Sequence, residues 1–339
     1  MESNQVVPLA PTLSLPSFTL PIARVRSVYQ TADVERKLDK LQDSDSSESR
    51  SLRSTYERML ERGPDRFQMK PGGIPEVASL YDELPNFTDV LDDVRRQIAL
   101  SHDSADGLEV TPMLLLGMPG IGKTHFAKKL ADLIGTGMNL VSMGTVTAGW
   151  LLSGSASQWK GAKPGKVFES LVDGKYANPV IVIDEIDKAA SEAQYDPLGS
   201  LYSLLEHDTA ASFVDEFAEV PIDASQVVWI TTANDARGIP NPILNRMNVF
   251  EIQPLTASQA RHIALRLYQS IRKGHDWGSR FDDTPCDDLL DQLATLVPRE
   301  MRRALMAAFG NARLANRGAL LVGDLPRSAA GKGRIGFMQ

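Results

Sequence analysis

The run Gly117-Met118-Pro119-Gly120-Ile121-Gly122-Lys123-Thr124 constrains this chain more than any other stretch. It places a glycine, four residues and then Gly-Lys-Thr in the pattern of a phosphate-binding loop. The apolar run Thr111–Leu116 before it predicts a buried strand. Thr124–Ile134 after it predicts a helix, with Phe126, Ala127, Leu130 and Ile134 on one stripe. A strand, a glycine turn and a helix in that order make a cradle. Glycines let backbone N–H groups approach phosphate oxygens, and the helix N-terminus adds positive potential. Lys123 is then the residue to reach the outer phosphates, and Thr124 the one to hold Mg²⁺ through its hydroxyl. A plain glycine turn between strand and helix would not need the Lys-Thr pair.

The second half of such a site is Val180-Ile181-Val182-Ile183-Asp184-Glu185, a buried strand ending in two acids. Asp184 suits the Mg²⁺ shell and Glu185 suits polarising an attacking water. Asp187 and Lys188 read as a surface pair. Further strands are predicted at Asn139–Met143, Val227–Thr231 and Val249–Ile252, with helices between them at Val167–Val172 and Leu198–Leu205. Strands alternating with helices imply a parallel sheet covered on both faces. From Thr256 onward the pattern is all-helical, with Thr256–Gln259 as a cap and helices at Cys286–Leu296 and Arg299–Leu314. The fold class is therefore α/β, a P-loop NTPase parallel sheet flanked by helices, with a small all-α lid.

The domain reading is a Pro/Ser-rich, mostly disordered tail over 1–60, a helical or linker segment over 61–110, the nucleotide-binding domain over 111–255, the lid over 256–318, and a flexible basic tail over 319–339. Within the first 60 residues, short helices are expected at Val28–Leu41 and Leu52–Leu60, and the stretch has two roles open to it, solvated extension or docking arm. Composition closes off other classes. A net charge of -7 argues against a general nucleic-acid coat, and no aromatic-and-basic nucleic-acid motif is present. The one cysteine, Cys286, excludes an intrachain disulfide and a cysteine-rich zinc site. The five histidines lack a zinc spacing. No apolar run is long enough for a bilayer and no secretory leader opens the chain, so a cytoplasmic protein is expected.

At this point the chain resembles the AAA+ ATPases, and among them the ATPase module of the Lon proteases. The resemblance runs from roughly Thr111 to Arg303. It is carried, in order, by Pro164-Gly165-Lys166, Asn178-Pro179-Val180, Asp184-Glu185-Ile186-Asp187-Lys188, Phe213-Val214-Asp215 and the stretch from Ile239 to Met247. The resemblance implies ATP and Mg²⁺ as cofactors, bound by Gly117, Met118, Pro119, Gly120, Ile121, Gly122, Lys123, Thr124 and Asp184, with Glu185 catalytic. It implies that Asn234 orients water near the γ-phosphate. It implies that Arg246 reaches as an arginine finger into the next subunit's site, with Arg237 a poorer match. Arg299 matches the lid arginine that leans onto the nucleotide, although Arg302 and Arg303 lie one turn further on and leave the choice open. Trp159 and Lys160 fall where Lon-like rings carry an aromatic-hydrophobic pore loop. Lys160 departs from the usual aliphatic residue, which suggests either acidic clients or a loop that touches something other than unfolded protein. The competing reading of Trp159 is a packing residue. Leu84-Pro85-Asn86-Phe87 falls where relatives close the adenine pocket, and reads equally as a linker turn.

What the resemblance implies for function is a homo-oligomeric ring, usually a hexamer, that remodels or unfolds a protein client, chaperone-like. Only a short tail follows Arg313, so no protease domain is expected in this chain, unless a separate peptidase docks. Two alternatives share the same ATPase core: a loader or initiator acting on nucleic-acid complexes, and a nucleotide-dependent recruitment switch acting through the N-terminal tail. Trp159 favours remodelling; Lys160 and the basic end leave room for the loader.

Overall fold

The computed structural model describes residues 22–41, 46–74, 78–145, 150–159, 161–189 and 196–326. Nine strands are described among them. β1 (Ile22–Ser27) pairs antiparallel with β2 (Asp65–Lys70). The central sheet contains β3 (Met113–Leu116), β4 (Met138–Ser142) and β5 (Val180–Asp184). A small antiparallel pair follows, β6 (Phe213–Val214) with β7 (Pro221–Ile222). β8 (Val228–Ala233) and β9 (Asn248–Glu251) complete the central sheet, in the order β4-β5-β8-β3-β9. Every pairing in it is parallel.

The reason is visible in the strands. Val180 to Ile183 and all of β8 are buried, as strands covered on both faces must be. Side chains then alternate between two cores. Ile181, Ile183 and Trp229 face one core, together with Phe168, Leu171 and Val172. Val180, Val182, Val228 and Ile230 face the other, with Val94, Ile98, Phe126 and Leu130. A third cluster, built on Tyr268, Leu289, Leu305 and Phe309, is the lid. Its first helix, Ala257–Lys273, opens with the expected capping box of Thr256 and Gln259.

The structure departs from the expected tail over residues 1–60. From Ile22 on, the described part is folded. Helices Thr31–Asp39 and Ser47–Arg62 bury Val34, Tyr56 and Met59 in the same core as Phe168 and Trp229. The Tyr29 hydroxyl donates to the carbonyls of Met59 (2.6 Å) and Gly63 (2.7 Å), and the Tyr56 hydroxyl donates to that of Ala218 (2.9 Å). A handful of apolar residues in a polar stretch suffices because the α/β layer supplies the other side of the contact. The segment before β3 likewise includes β2, and Arg66, nearly buried, donates to the carbonyl of Leu171 at 2.7 Å. At the other end, Leu320 and Asp324 pack on the lid, which extends beyond residue 318. Residues 1–21 and 327–339, which hold the proline-rich start and basic end, lie outside the described residues.

A buried carboxylate braces the arm between β4 and β5. Asp215 accepts backbone N–H bonds from Gly165 (2.8 Å), Phe217 (3.0 Å) and Ala218 (3.1 Å). Gly154, at φ +80°, passes so close that a Cβ there would lie 2.6 Å from Asp215 Oδ1. Burial pushes the Asp215 carboxyl up to about 6, although the three N–H donors pull the other way. An acid whose folded pKa is raised binds its proton more tightly when folded. Its contribution to stability is therefore present below its unfolded pKa near 4 and is lost as pH rises through 6. The loss is about 3 kcal/mol at most. Thermal midpoints of the parent chain, relative to Asp215→Asn, should fall between pH 4 and pH 6. A difference that stays flat across that window would contradict the buried-carboxylate account.

Candidate functional site

Because the central strands run parallel, their C-terminal ends share one edge, where open α/β sheets bind ligands. The glycine-rich loop leaves β3, the acids leave β5, and Asn234 follows β8. Gly120 (φ +82°) and Gly122 (φ +111°) take left-handed conformations that a side chain would strain, which turns the loop back onto the helix Lys123–Ile134. Beneath it, Phe126 stacks on Phe87 with ring centroids 5.1 Å apart, anchoring the helix to the segment that precedes β3.

A cavity of about 870 Å³ opens above this edge, between the sheet and the lid. Pro119 to Thr124, Asp184, Glu185 and Asn234 line one side, and Arg299 and Arg302 line the other. Arg303 is not among its lining residues. Leu84, Leu255, Ile263 and Leu267 are among its apolar lining residues. Leu84 and Asn86 thus belong to the cavity wall, and Asn86 Nδ2 donates to the carbonyl of Gln253 at 3.1 Å.

Lys123 is buried. Its ammonium donates to the carbonyls of Gly117 and Met118 and to Asn234 Oδ1 (3.1 Å), so the loop and the end of β8 meet at one cation. Burial lowers its pKa; Asp184, Asp187 and Glu185 oppose that, and Arg299 adds to it. Glu185 holds φ +56°, a left-handed conformation rare for a residue with a side chain and often found at sites under functional constraint.

Sequence reasoning missed two residues here. Thr232 is fully buried at the end of β8. Its hydroxyl donates to Asp184 Oδ1 (2.6 Å) and accepts from the backbone N–H of Glu185 (3.1 Å). One side chain therefore fixes both acids. The only available signal was its register on a buried strand beside β5. Asp187, read as half of a surface pair, turns inward. Its Oδ2 accepts from the backbone N–H of Asn234 at 3.3 Å, and its buried Oδ1 has no hydrogen-bond partner among the described residues. Thr232→Val keeps the shape but leaves the Glu185 N–H without its acceptor. It should cost about 1–3 kcal/mol of stability. It should also lower ATP turnover by roughly tenfold while changing the Michaelis constant for ATP little, because it misaligns the acids rather than the phosphate cradle. Equal kinetics in variant and parent would remove Thr232 from the site.

Arg246 is not brought into this cavity. Its Nε lies 2.9 Å from Glu206 Oε1, an ion pair without hydrogen-bond alignment, and its guanidinium carbon sits 5.9 Å from the Tyr202 ring centroid. Nη1 donates to the carbonyl of Pro242 at 2.6 Å. Arg237 is exposed and pairs with Asp235. Trp159 is likewise not among the residues that line the cavity. It is partly exposed and meets Trp150 edge to face, with centroids 5.6 Å apart. Lys160 lies outside the described residues. No group of three or more metal-ligating residues of the zinc type occurs among the described residues, and none of their helices is long and apolar enough to cross a membrane.

On the outer side of the cavity, Glu83 joins three elements. His125 Nε2 lies 2.9 Å and Lys129 Nζ 3.0 Å from its Oε1, both from the helix after the loop, and Arg266 of the lid approaches Oε2 at 3.9 Å. Burial pushes this carboxyl up, but the hydrogen bonds from Lys129 and His125 outweigh it and hold it below the ordinary range.

Residues 113–255 match the family described as "ATPase family associated with various cellular activities (AAA)". The chain is 38% identical over 181 residues to the Lon protease of Finegoldia magna, covering 52% of this chain and 23% of that protein. It is 29% identical over 237 residues to the Lon protease of Halothermothrix orenii, covering 69% of this chain and 30% of that protein. With the mitochondrial Lon protease homolog of Schizosaccharomyces pombe the identity is 36% over 152 residues, covering 45% of this chain and 14% of that protein. The matches thus span less than a third of these relatives' own length. Among solved structures, the Thermotoga maritima RuvB Holliday junction branch migration motor aligns with a TM-score of 0.46 and 14% identity, over 71% of this chain and 66% of that one.

Proposed function

We infer that this chain, whose residues 113–255 form an AAA ATPase module of the Lon type, is a Mg²⁺-dependent ATP hydrolase that works as a ring and remodels a polypeptide client. One observation carries the reading. Lys123, Asp184, Glu185, Asn234 and Arg299 share a cavity, while Arg246 stands outside it, 2.9 Å from a partly exposed glutamate. A finger so placed serves a neighbouring subunit, which makes the complete site a property of the assembly.

The cavity suits ATP. Its apolar lining residues, such as Leu84 and Leu267, suit the base, and the loop with Lys123 suits the phosphates. Mg²⁺ would be held by the hard oxygens of Thr124 and Asp184. Asp184 fits, since the Thr232 hydroxyl occupies only its Oδ1. When bound, the ion supplies charge neutralisation across the transferred phosphoryl group. The remaining work falls to the chain. Glu185 polarises the attacking water, and Asn234 holds it near the outer phosphate. Arg299, with Arg302 beside it, couples lid angle to the nucleotide. Trp159 contributes an aromatic surface that grips by area rather than by sequence, the property a remodeller of varied clients needs.

The test is whether Glu185→Gln protein with ATP assembles, by sedimentation, into a closed ring, usually a hexamer in such motors, and whether parent protein then unfolds a tagged, stably folded reporter in an ATP-dependent way. Assembly with unfolding that Trp159→Ala abolishes supports the reading. A protein that hydrolyses ATP as a monomer, or a ring stimulated only by nucleic acid, sinks it.

A further inference from the structure

We propose that the cavity beside Trp159 is a subsite for a cationic side chain, arginine above lysine, on an extended segment of polypeptide client. The proposal rests on the remodelling reading above and names the chemistry that its client presents.

This second cavity, of about 590 Å³, is separate from the nucleotide site. Trp150 and Trp159 form one wall, their rings at 82° to each other. Asp196 and Glu216 supply two carboxylates, and Ser153 and Ser155 are among several hydroxyl side chains that line it. No Lys, Arg or His occurs among its described lining residues. That combination selects by charge. Indole faces attract cations through the ring quadrupole, carboxylates neutralise them, and hydroxyls accept their N–H groups. An acidic side chain would meet two like charges. An aliphatic one would strip water from the carboxylates without replacing it. A guanidinium is preferred to an ammonium because it is planar, stacks on an indole and is more weakly hydrated.

The wall is also held in place before any client arrives. The Ser153 hydroxyl donates to Glu216 Oε1 at 3.2 Å, and the backbone N–H of Glu216 donates to the Ser153 carbonyl at 2.7 Å. The neighbouring Asp215 pins the same arm through Gly165. Pre-ordered walls spend less entropy on binding. Lys160, whose charge alone points to acidic clients, lies outside the described residues; the cavity argues for the opposite charge.

The test uses the full chain as the Glu185→Gln protein with ATP. Short glycine-serine peptides carrying Arg, Lys, norleucine or Glu at the same positions compete for it against a fluorescent arginine peptide. Arginine should bind about tenfold tighter than glutamate at low salt, with lysine between them, and the gap should narrow as salt is added. Asp196→Asn with Glu216→Gln, both at exposed side chains, should reduce the arginine preference to within about twofold, and Glu216→Lys should reverse it. Equal binding of arginine and glutamate peptides to the parent overturns the proposal, as does an arginine preference that the double variant keeps. ATP-driven unfolding of a reporter with no charge preference would overturn the subsite and leave remodelling standing. Arginine-selective binding without unfolding would support the subsite and remove the remodelling reading.

Discussion

Lys123→Ala is expected to lower ATP turnover by on the order of a thousandfold and to weaken ATP binding as well. The ammonium is buried and donates at once to the glycine-rich loop and to Asn234, so it is both a charge for the phosphates and the tie between two elements of the site. Removing it leaves the Asn234 oxygen without its donor and the cradle without its central cation. Glu185→Gln should separate the two effects. The amide keeps size and hydrogen bonding but cannot act as a base, so ATP should still bind while hydrolysis falls by about a hundredfold or more. The measurement is calorimetric binding of ATP beside phosphate release for both variants. Normal turnover by Lys123→Ala would refute the glycine loop and Lys123 as the site of ATP hydrolysis. Loss of binding in Glu185→Gln would mean that Glu185 shapes the cradle instead of the chemistry.

Arg246→Ala should cost about a thousandfold in turnover, the effect typical of an arginine that stabilises the charge of a transferred phosphoryl group. A structural role predicts far less. Its pair with Glu206 is partly exposed, and such pairs contribute about 1 kcal/mol or less. Fold and melting temperature should therefore hardly move while activity collapses. The decisive measurement mixes Arg246→Ala with Lys123→Ala protein, each inactive alone. An interface pairing an intact finger with an intact loop should restore part of the turnover. Mixtures as dead as their components would mean that Arg246 acts within its own chain or only supports the turn that carries it.

The central sheet and the lid were legible because buried parallel strands are written as continuous apolar runs and the lid helices as apolar stripes, both local signals. The glycine loop, Asp184 and Glu185 were legible because their chemistry depends on neighbours in sequence. Thr232 was not, because its two bonds cross to the adjacent strand, and nothing within the run Thr231-Thr232-Ala233-Asn234 says which hydroxyl faces Asp184. The folded start of the chain was hidden for a related reason. Val34, Tyr56 and Met59 are too sparse to build a core among themselves, and only the surface beneath them makes them one. The short β6–β7 pair and the broken helix over 166–173, which passes from α to π geometry, also arise from tertiary contacts that periodicity does not encode.

Glu83 gives the stretch before the glycine loop a mechanical meaning. Its carboxylate is the meeting point of the helix Ala78–Glu83, the helix that carries His125 and Lys129, and the lid helix that carries Arg266. The first two contacts are short and the lid contact is long, so the carboxylate is clamped on one side and slack on the other. A displacement of the lid would release the slack side first, like a latch with one screw left loose. The helix ahead of the glycine loop is thus bolted to the helix that follows the loop and only loosely hooked to the lid, so whatever attaches to it is attached to the side that carries the phosphate-binding loop.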